Sequence, residues 1–305
     1  MDFFVVGAEK CGTTWLADML RKHPDVFIPD RKEIHYFNRK FDEHPELDNY
    51  NFDKPIHWYY SFFKNANPDQ MSGEVCPAYL WDKAAPFCIS KNFPTAKIII
   101  VLRDPVKRAY SGYRFFQQRG LIDRDMSFKD AINEFHHQLI FRSLYFNQVF
   151  TYFELFDSKK ILVMYFDDLR KNNERFLIDV ESFLGLEPFI PNDINQRSNV
   201  TKVPRYAWIN HVFSYIRYVI RKYKLHFVND IFRSLKLAKF TEIMRRRNVK
   251  EISTTSIQEM DPEFLQHLYN VFNDDVKKLE SLLNVDLGHW KGLGSTGVQK
   301  GENEN

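Results

Sequence analysis

The segment Gly7-Ala8-Glu9-Lys10-Cys11-Gly12-Thr13-Thr14 packs two glycines, a lysine and two hydroxyls into eight residues. Glycine lets the backbone turn so that successive N–H groups point inward, and a helix beginning at Thr13 adds free donors and a positive dipole end. Lys10 sets an ammonium beside the same anion. This is chemistry for gripping a phosphate, the alternative being a plain glycine turn with a surface lysine. The spacing differs from the nucleotide-triphosphatase loop, in which lysine follows the last glycine; here Lys10 precedes Gly12. No strand-terminal Asp stands ready to hold magnesium.

A second anion site is marked by Arg103, which follows the apolar run Lys97–Leu102. Ligands of parallel α/β sheets bind at the carboxyl ends of strands, where an arginine can fork onto a phosphate. Ser111, about two turns into the helix opened by Asp104-Pro105, can add a hydrogen bond. The competing reading pairs Arg103 with Asp167 or Asp168. Further candidates are Glu33 and His35, which as extended residues two apart would project to the same side.

Strand-like runs alternating with helical patterns must position these groups, and they predict an α/β fold with a parallel sheet flanked by helices. The strands are Phe3–Val6, Lys97–Leu102 and Ile161–Tyr165. Helices are predicted over Thr13–Leu20, from Pro105 to about Gln118, over Lys171–Leu184 and from Pro262 through Leu283. Ser127–Phe156 reads as mostly helical and aromatic-rich, a cover for the sheet.

The composition agrees. The chain has 305 residues, 44% hydrophobic, 27% charged and 16% aromatic, enough for a full core and too aromatic for disorder. No apolar run approaches the ~20 residues of a membrane span. Three cysteines give no disulfide framework and no paired metal-ligand spacing, so no metal is expected and the chain reads as reduced and cytoplasmic. Cys11, at a helix N-terminus, is either a favoured thiolate or a small residue filling a tight turn.

Net charge is +3, unevenly spread. Arg205–Lys250 holds twelve basic residues against Asp230 and Glu242, a net of +10, leaving −7 elsewhere. Interleaved with aromatics, this stretch reads as a lid over an anionic acceptor, a membrane-surface patch, a nucleic-acid site, or an amphipathic subdomain with solvated charges. The partition expected is one domain over residues 1–291, with 200–255 a basic helical insertion or lid in its C-terminal third, and 292–305 a disordered tail.

Taken in order, these motifs resemble the sulfotransferases that use 3′-phosphoadenosine-5′-phosphosulfate (PAPS). Gly7–Thr14 is similar to the family's 5′-phosphosulfate loop, and Leu102–Ser111 to its 3′-phosphate segment. Lys32-Glu33-Ile34-His35-Tyr36-Phe37 resembles the K-E-x-H-F-F element of heparan-sulfate-type and bacterial members. Trp58-Tyr59, Gly73-Glu74, Pro77-Ala78-Tyr79 and Phe183-Leu184-Gly185-Leu186 also fall in the family's order. The match covers roughly residues 3–200.

The resemblance implies a P-loop-like fold and transfer of SO₃ from PAPS to an acceptor hydroxyl, most readily on a carbohydrate or glycoconjugate, with PAP as product. A sulfuryl group carries less charge than a γ-phosphoryl and needs no metal. Lys10 matches the lysine at the bridging oxygen. Gly7, Lys10, Cys11, Gly12, Thr13, Thr14 and Trp15 would hold the 5′ end, and Arg103 and Ser111 the 3′-phosphate. Glu33 matches the general base, with His35 an acceptor contact or orienter. Heparan-type members often carry lysine directly after the glutamate of the later element. Val75 stands there in this chain, so a second catalytic lysine is not implied, and Glu74 would orient Lys10 or the acceptor, or pair with a basic neighbour. Asn195–Asn199 and Lys202 could close on PAPS. Outside the resemblance stand a kinase using ATP and magnesium, and a non-enzymatic basic protein binding membranes or nucleic acid. No nucleic acid is expected as partner, while the basic stretch allows peripheral membrane association.

Overall fold

Two runs with almost no polar residue, Phe3-Phe4-Val5-Val6 and Lys97–Leu102, lie side by side at the centre of the sheet, and every residue from Phe3 to Val6 has zero exposure. Strands of a parallel sheet are covered on both faces, so they must be apolar throughout rather than alternating. The computed structural model describes residues 1–41, 44–195, 202–204, 207–223, 225, 249–251 and 260–292.

Five parallel strands, β1 (Phe3–Gly7), β2 (Val26–Phe27), β3 (Met71–Val75), β4 (Lys97–Leu102) and β5 (Ile161–Tyr165), form a sheet in the order β2-β3-β1-β4-β5. The chain crosses from one side of β1 to the other between β3 and β4, a reversal that opens a crevice at the strands' carboxyl ends. The expected fold class is therefore found. β2 and β3 were not foreseen: two residues show no period, and Met-Ser-Gly-Glu-Val lacks a continuous apolar run.

Helix boundaries follow local chemistry. Asp104 caps the helix Pro105–Arg119 by accepting from the N–H groups of Val106 and Lys107, and Gly120 ends it at φ 70°. A further helix not foreseen, Phe166–Lys171, precedes the one expected over Lys171–Leu184, which is found over Asn173–Leu184 and closes at Gly185. Asn172, extended at φ −152°, separates them and caps the second through the N–H of Arg175. The Ser127–Phe156 stretch is helical and aromatic as expected, in several short pieces. The helix Pro262–Leu283 begins and ends where its Asp261-Pro262 start and apolar period place it. It packs on Pro105–Arg119 and on Phe146–Leu155. Trp290 beyond it is fully buried beside Tyr145 and Tyr165.

In the basic stretch, Lys202–Pro204 pairs antiparallel with Val249–Glu251, and a helix spans Ala207–Lys222. The rest of that stretch apart from Tyr223 and Leu225, like 196–199 and the expected tail from 293, lies outside the described residues. Among the described residues no helix is long and apolar enough to cross a membrane.

Candidate active site

β1 runs into the glycine loop, which Ala8 pins to β4 by donating from its N–H to the carbonyl of Val101 (2.7 Å). Lys10 takes φ 66° and Gly12 φ 88° before the helix Thr13–Leu20 starts. A Cβ at Gly12 would stand 2.6 Å from Leu169 Cδ2, so both conformation and space demand glycine there.

The Lys10 ammonium sits 4.1 Å from the centre of the Phe115 ring. Burial, helped by the cations of Arg119, Arg103 and Lys32, brings its pKa down to about 8, while the charge of Glu9 works the other way. Glu9 is clamped in turn: both its oxygens accept from Arg142 Nη1 at 2.9 and 2.8 Å, and Oε1 accepts from Trp81 Nε1 at 3.1 Å.

Arg103, at the end of β4, donates from Nη1 to the carbonyl of Lys10 (3.2 Å) and lies over the Phe166 ring at 4.6 Å. Its Nε is buried with no hydrogen-bond partner. Asp167 and Asp168 are engaged elsewhere, by His289 at 3.8 Å and Lys171 at 3.4 Å. Ser111 is half-buried on the helix Pro105–Arg119.

Glu33 and His35 follow β2, and neither is extended. Both take left-handed φ, 65° and 56°, and it is this double turn that brings Glu33 Oε2 within 3.6 Å of His35 Nε2. Lys32 closes the group, its ammonium 2.9 Å from Glu33 Oε1 and 2.7 Å from Thr14 Oγ1. Burial alone would raise the Glu33 carboxyl, but the hydrogen bond from His35 and the charge of Lys32 outweigh it and hold the group far below the usual carboxylate range. His35 Nδ1 faces Asn38 Oδ1 at 3.3 Å and Cys76 Sγ at 3.6 Å.

Glu74 neither touches Lys10 nor pairs with a cation. Its carboxyl accepts from the hydroxyls of Tyr59 and Tyr79, both at 2.8 Å, and from the N–H of Ile34 at 3.2 Å. Burial pushes it up to about 7. Its role is to hold the loop between Glu33 and His35.

These elements wall a cavity of about 460 Å³. Of the residues expected from sequence, Lys10, Gly12, Thr13, Thr14, Glu33 and His35 line it; Gly7, Cys11, Trp15, Arg103 and Ser111 do not. Cys11 is buried, and burial drives its thiol up to about 11, so the favoured-thiolate reading gives way to the packing one. Trp15 spends its indole N–H on the carbonyl of Ile194 (3.1 Å). Both can offer an anion only a backbone N–H. Arg31, Arg119 and Arg221 also line the wall, each placed near an aromatic ring; the first two were not foreseen, and Arg221 comes from the basic stretch for which a lid over an anionic acceptor was one reading. Lys32 was within reach of sequence, standing first in the Lys32–Phe37 element. Arg119 and Arg221 belong to helix ends far apart in the chain, and no local motif marks them.

The arrangement has a loop for one phosphate and, beside it, an arginine with a buried donor unsatisfied. The loop suits the 5′ end of a nucleotide such as PAPS, while Arg103 and Ser111, expected at a 3′-phosphate, stand off the cavity wall. Among the described residues no group of three or more His, Cys, Asp or Glu is placed to hold a metal ion.

Comparisons with known proteins agree with this geometry. Mouse (Mus musculus) carbohydrate sulfotransferase 15 is 26% identical over 261 residues, covering 66% of this chain and 46% of that protein. Human (Homo sapiens) heparan sulfate glucosamine 3-O-sulfotransferase 3B1 is 35% identical over 109 residues, 36% of this chain and 25% of that one. The chain thus spans about half the length of the first relative and less of the second. The crystal structure of a sulfotransferase from Alicyclobacillus acidocaldarius shares the fold at a TM-score of 0.67 and 22% identity, covering 95% of this chain and 98% of the other. The family profile described as the sulfotransferase domain matches residues 1–280, a span that includes every strand end and loop around the cavity, and the chain belongs to the sulfotransferase family.

Proposed function

We propose that this cavity is where a sulfuryl group passes from PAPS to an acceptor hydroxyl on a carbohydrate or glycoconjugate. The observation carrying the reading is a shared wall: the anion-binding loop with Lys10, Thr13 and Thr14, and the pair Glu33 and His35, face one space. PAPS, when bound, supplies the sulfuryl group and leaves as PAP.

The chain's residues then divide the work. Loop N–H groups and the hydroxyls of Thr13 and Thr14 would hold the 5′ end; Arg103, off the cavity wall but bonded to the loop at the Lys10 carbonyl, would with Ser111 hold the 3′-phosphate. Lys10 would set its ammonium at the donor's leaving side, where it would stabilise the charge left on the departing PAP. Glu33, ionised throughout the physiological range, takes the acceptor's proton as its oxygen meets sulfur. Both ring nitrogens of His35 already face neighbours, Nε2 toward Glu33 and Nδ1 toward Asn38 and Cys76, which suits a positioning role.

The acceptor class rests on the relatives' names, carbohydrate and heparan sulfate, together with the cationic wall. A cytoplasmic setting accords with three free cysteines. The whole stretch 1–291 is read as the catalytic unit, with the basic insertion at its edge and peripheral membrane contact through it.

Calorimetry with PAP against ATP plus magnesium tests the donor. Tight binding of PAP without metal is expected. Binding of ATP that requires magnesium would move the chain to the kinases, and binding of neither would end the reading.

A further inference from the structure

The helix Ala207–Lys222 has two unlike faces. Toward the body of the protein, the Tyr218 ring lies 5.1 Å from that of His44, Ile220 is buried, and the Arg221 guanidinium stands 4.5 Å from the Phe41 ring at the cavity wall. On the opposite face Val212, Tyr215, Ile216 and, two turns on and just past the helix end, Tyr223 are exposed by 47%, 68%, 40% and 63%. At helical periodicity these four fall in one stripe. Lys222 borders it, its ammonium 5.8 Å from the Tyr223 ring.

A helix face that met only water would carry polar side chains, and this one carries two tyrosines and two branched aliphatics. The surrounding sequence decides what covers it. Arg205–Lys250 carries a net +10 while the remainder of the chain carries −7. A second copy meeting it stripe to stripe would set like charge against like. Nucleic acid would be met by the cations and leave the apolar stripe unused. An anionic lipid surface uses both, since tyrosine rings settle at the headgroup level, aliphatic tips enter the acyl boundary and Lys222 at the border meets the phosphates.

We propose that the outer face of Ala207–Lys222 docks this protein on anionic membrane surfaces. Because Arg221 on the inner face reaches the cavity, docking sets the cavity beside the bilayer. The proposal does not depend on the transfer reaction: failure of PAP to bind would leave it standing.

The test uses the full chain and extruded vesicles of phosphatidylcholine, alone or with about a quarter phosphatidylglycerol. The wild-type chain is expected to sediment with the anionic vesicles and to be released by salt. The combined variant Tyr215→Ser, Ile216→Ser, Tyr223→Ser should partition about tenfold more weakly or less still, with unchanged circular dichroism. Wild-type chain remaining in the supernatant would overturn the proposal, and so would equal sedimentation of the variant, which would reduce the effect to charge alone. A wild-type dimer dissociated by the variant would assign the stripe to a second copy. DNA retardation abolished by the variant would assign it to nucleic acid. Hydrogen exchange on the wild-type chain needs no variant: anionic vesicles should slow exchange over Ala207–Lys222, and unchanged exchange there counts against docking.

Discussion

Arg142 reaches across 133 residues of sequence to hold both carboxylate oxygens of Glu9, the residue directly before Lys10. Its side chain is only 1% exposed, and its guanidinium lies 4.1 Å from the Trp81 ring. Burial would raise the Glu9 carboxyl, but the charges of Arg142 and Arg108 lower it further than burial lifts it. Replacing Arg142 by Met strands a buried charge, at a cost of about 3–5 kcal/mol. Because the folded-state pKa of Glu9 is depressed, the pair's contribution is complete above pH 4.5 and fades as pH falls below it. Urea unfolding at pH 7 and again near pH 4 should show a large gap between wild type and variant that narrows in acid.

The proposed role of Lys10 needs its ammonium form, and burial brings its pKa down to about 8. Turnover should therefore fall as pH rises through about 8, well below the range of an ordinary lysine. Glu9→Gln removes the charge that supports the ammonium, so the alkaline limb should move to lower pH. Lys10→Ala should cost about 10²–10³-fold in turnover. An unmoved limb in Glu9→Gln would separate the two residues, and near wild-type turnover in Lys10→Ala would remove the leaving-group role.

Glu33→Gln should lower turnover by about 10²–10⁴-fold while PAP binding stays close to wild type. His35→Ala should do less harm, because it loosens the base without deleting it. The reverse pattern, an active Glu33→Gln and a dead His35→Ala, would exchange the two assignments.

Arg103→Ala should weaken PAP by one to two orders of magnitude and 5′-AMP little, at about 1.5–3 kcal/mol for a charge-assisted contact. Calorimetry with both nucleotides decides it. Equal losses would mean that Arg103 serves the loop through the Lys10 carbonyl and not a 3′-phosphate.

The parts of this molecule legible in sequence were those whose physics is local. Ile98 to Leu102 had to be a buried parallel strand because nothing in it tolerates water, and Asp104-Pro105 announced a helix start in two residues. The turn between β1 and the helix Thr13–Leu20 was visible in its glycines. The departures have physical reasons as well. A φ of 65° at Glu33 or 56° at His35 leaves no mark when the residue is not glycine, so an extended segment was the natural expectation. The partnership of Glu9 with Arg142 and the convergence of Arg119 and Arg221 on one wall arise from tertiary folding, and no window of neighbouring residues contains them.

The carboxyl of Glu74 grips the backbone between those two left-handed residues, and two tyrosines brace it from behind. A loop in so rare a conformation would ordinarily sample many others before a ligand arrived. Held at Ile34, it has surrendered that conformational entropy during folding, so the Glu33 carboxylate is already aimed and no ligand need spend binding energy on arranging it.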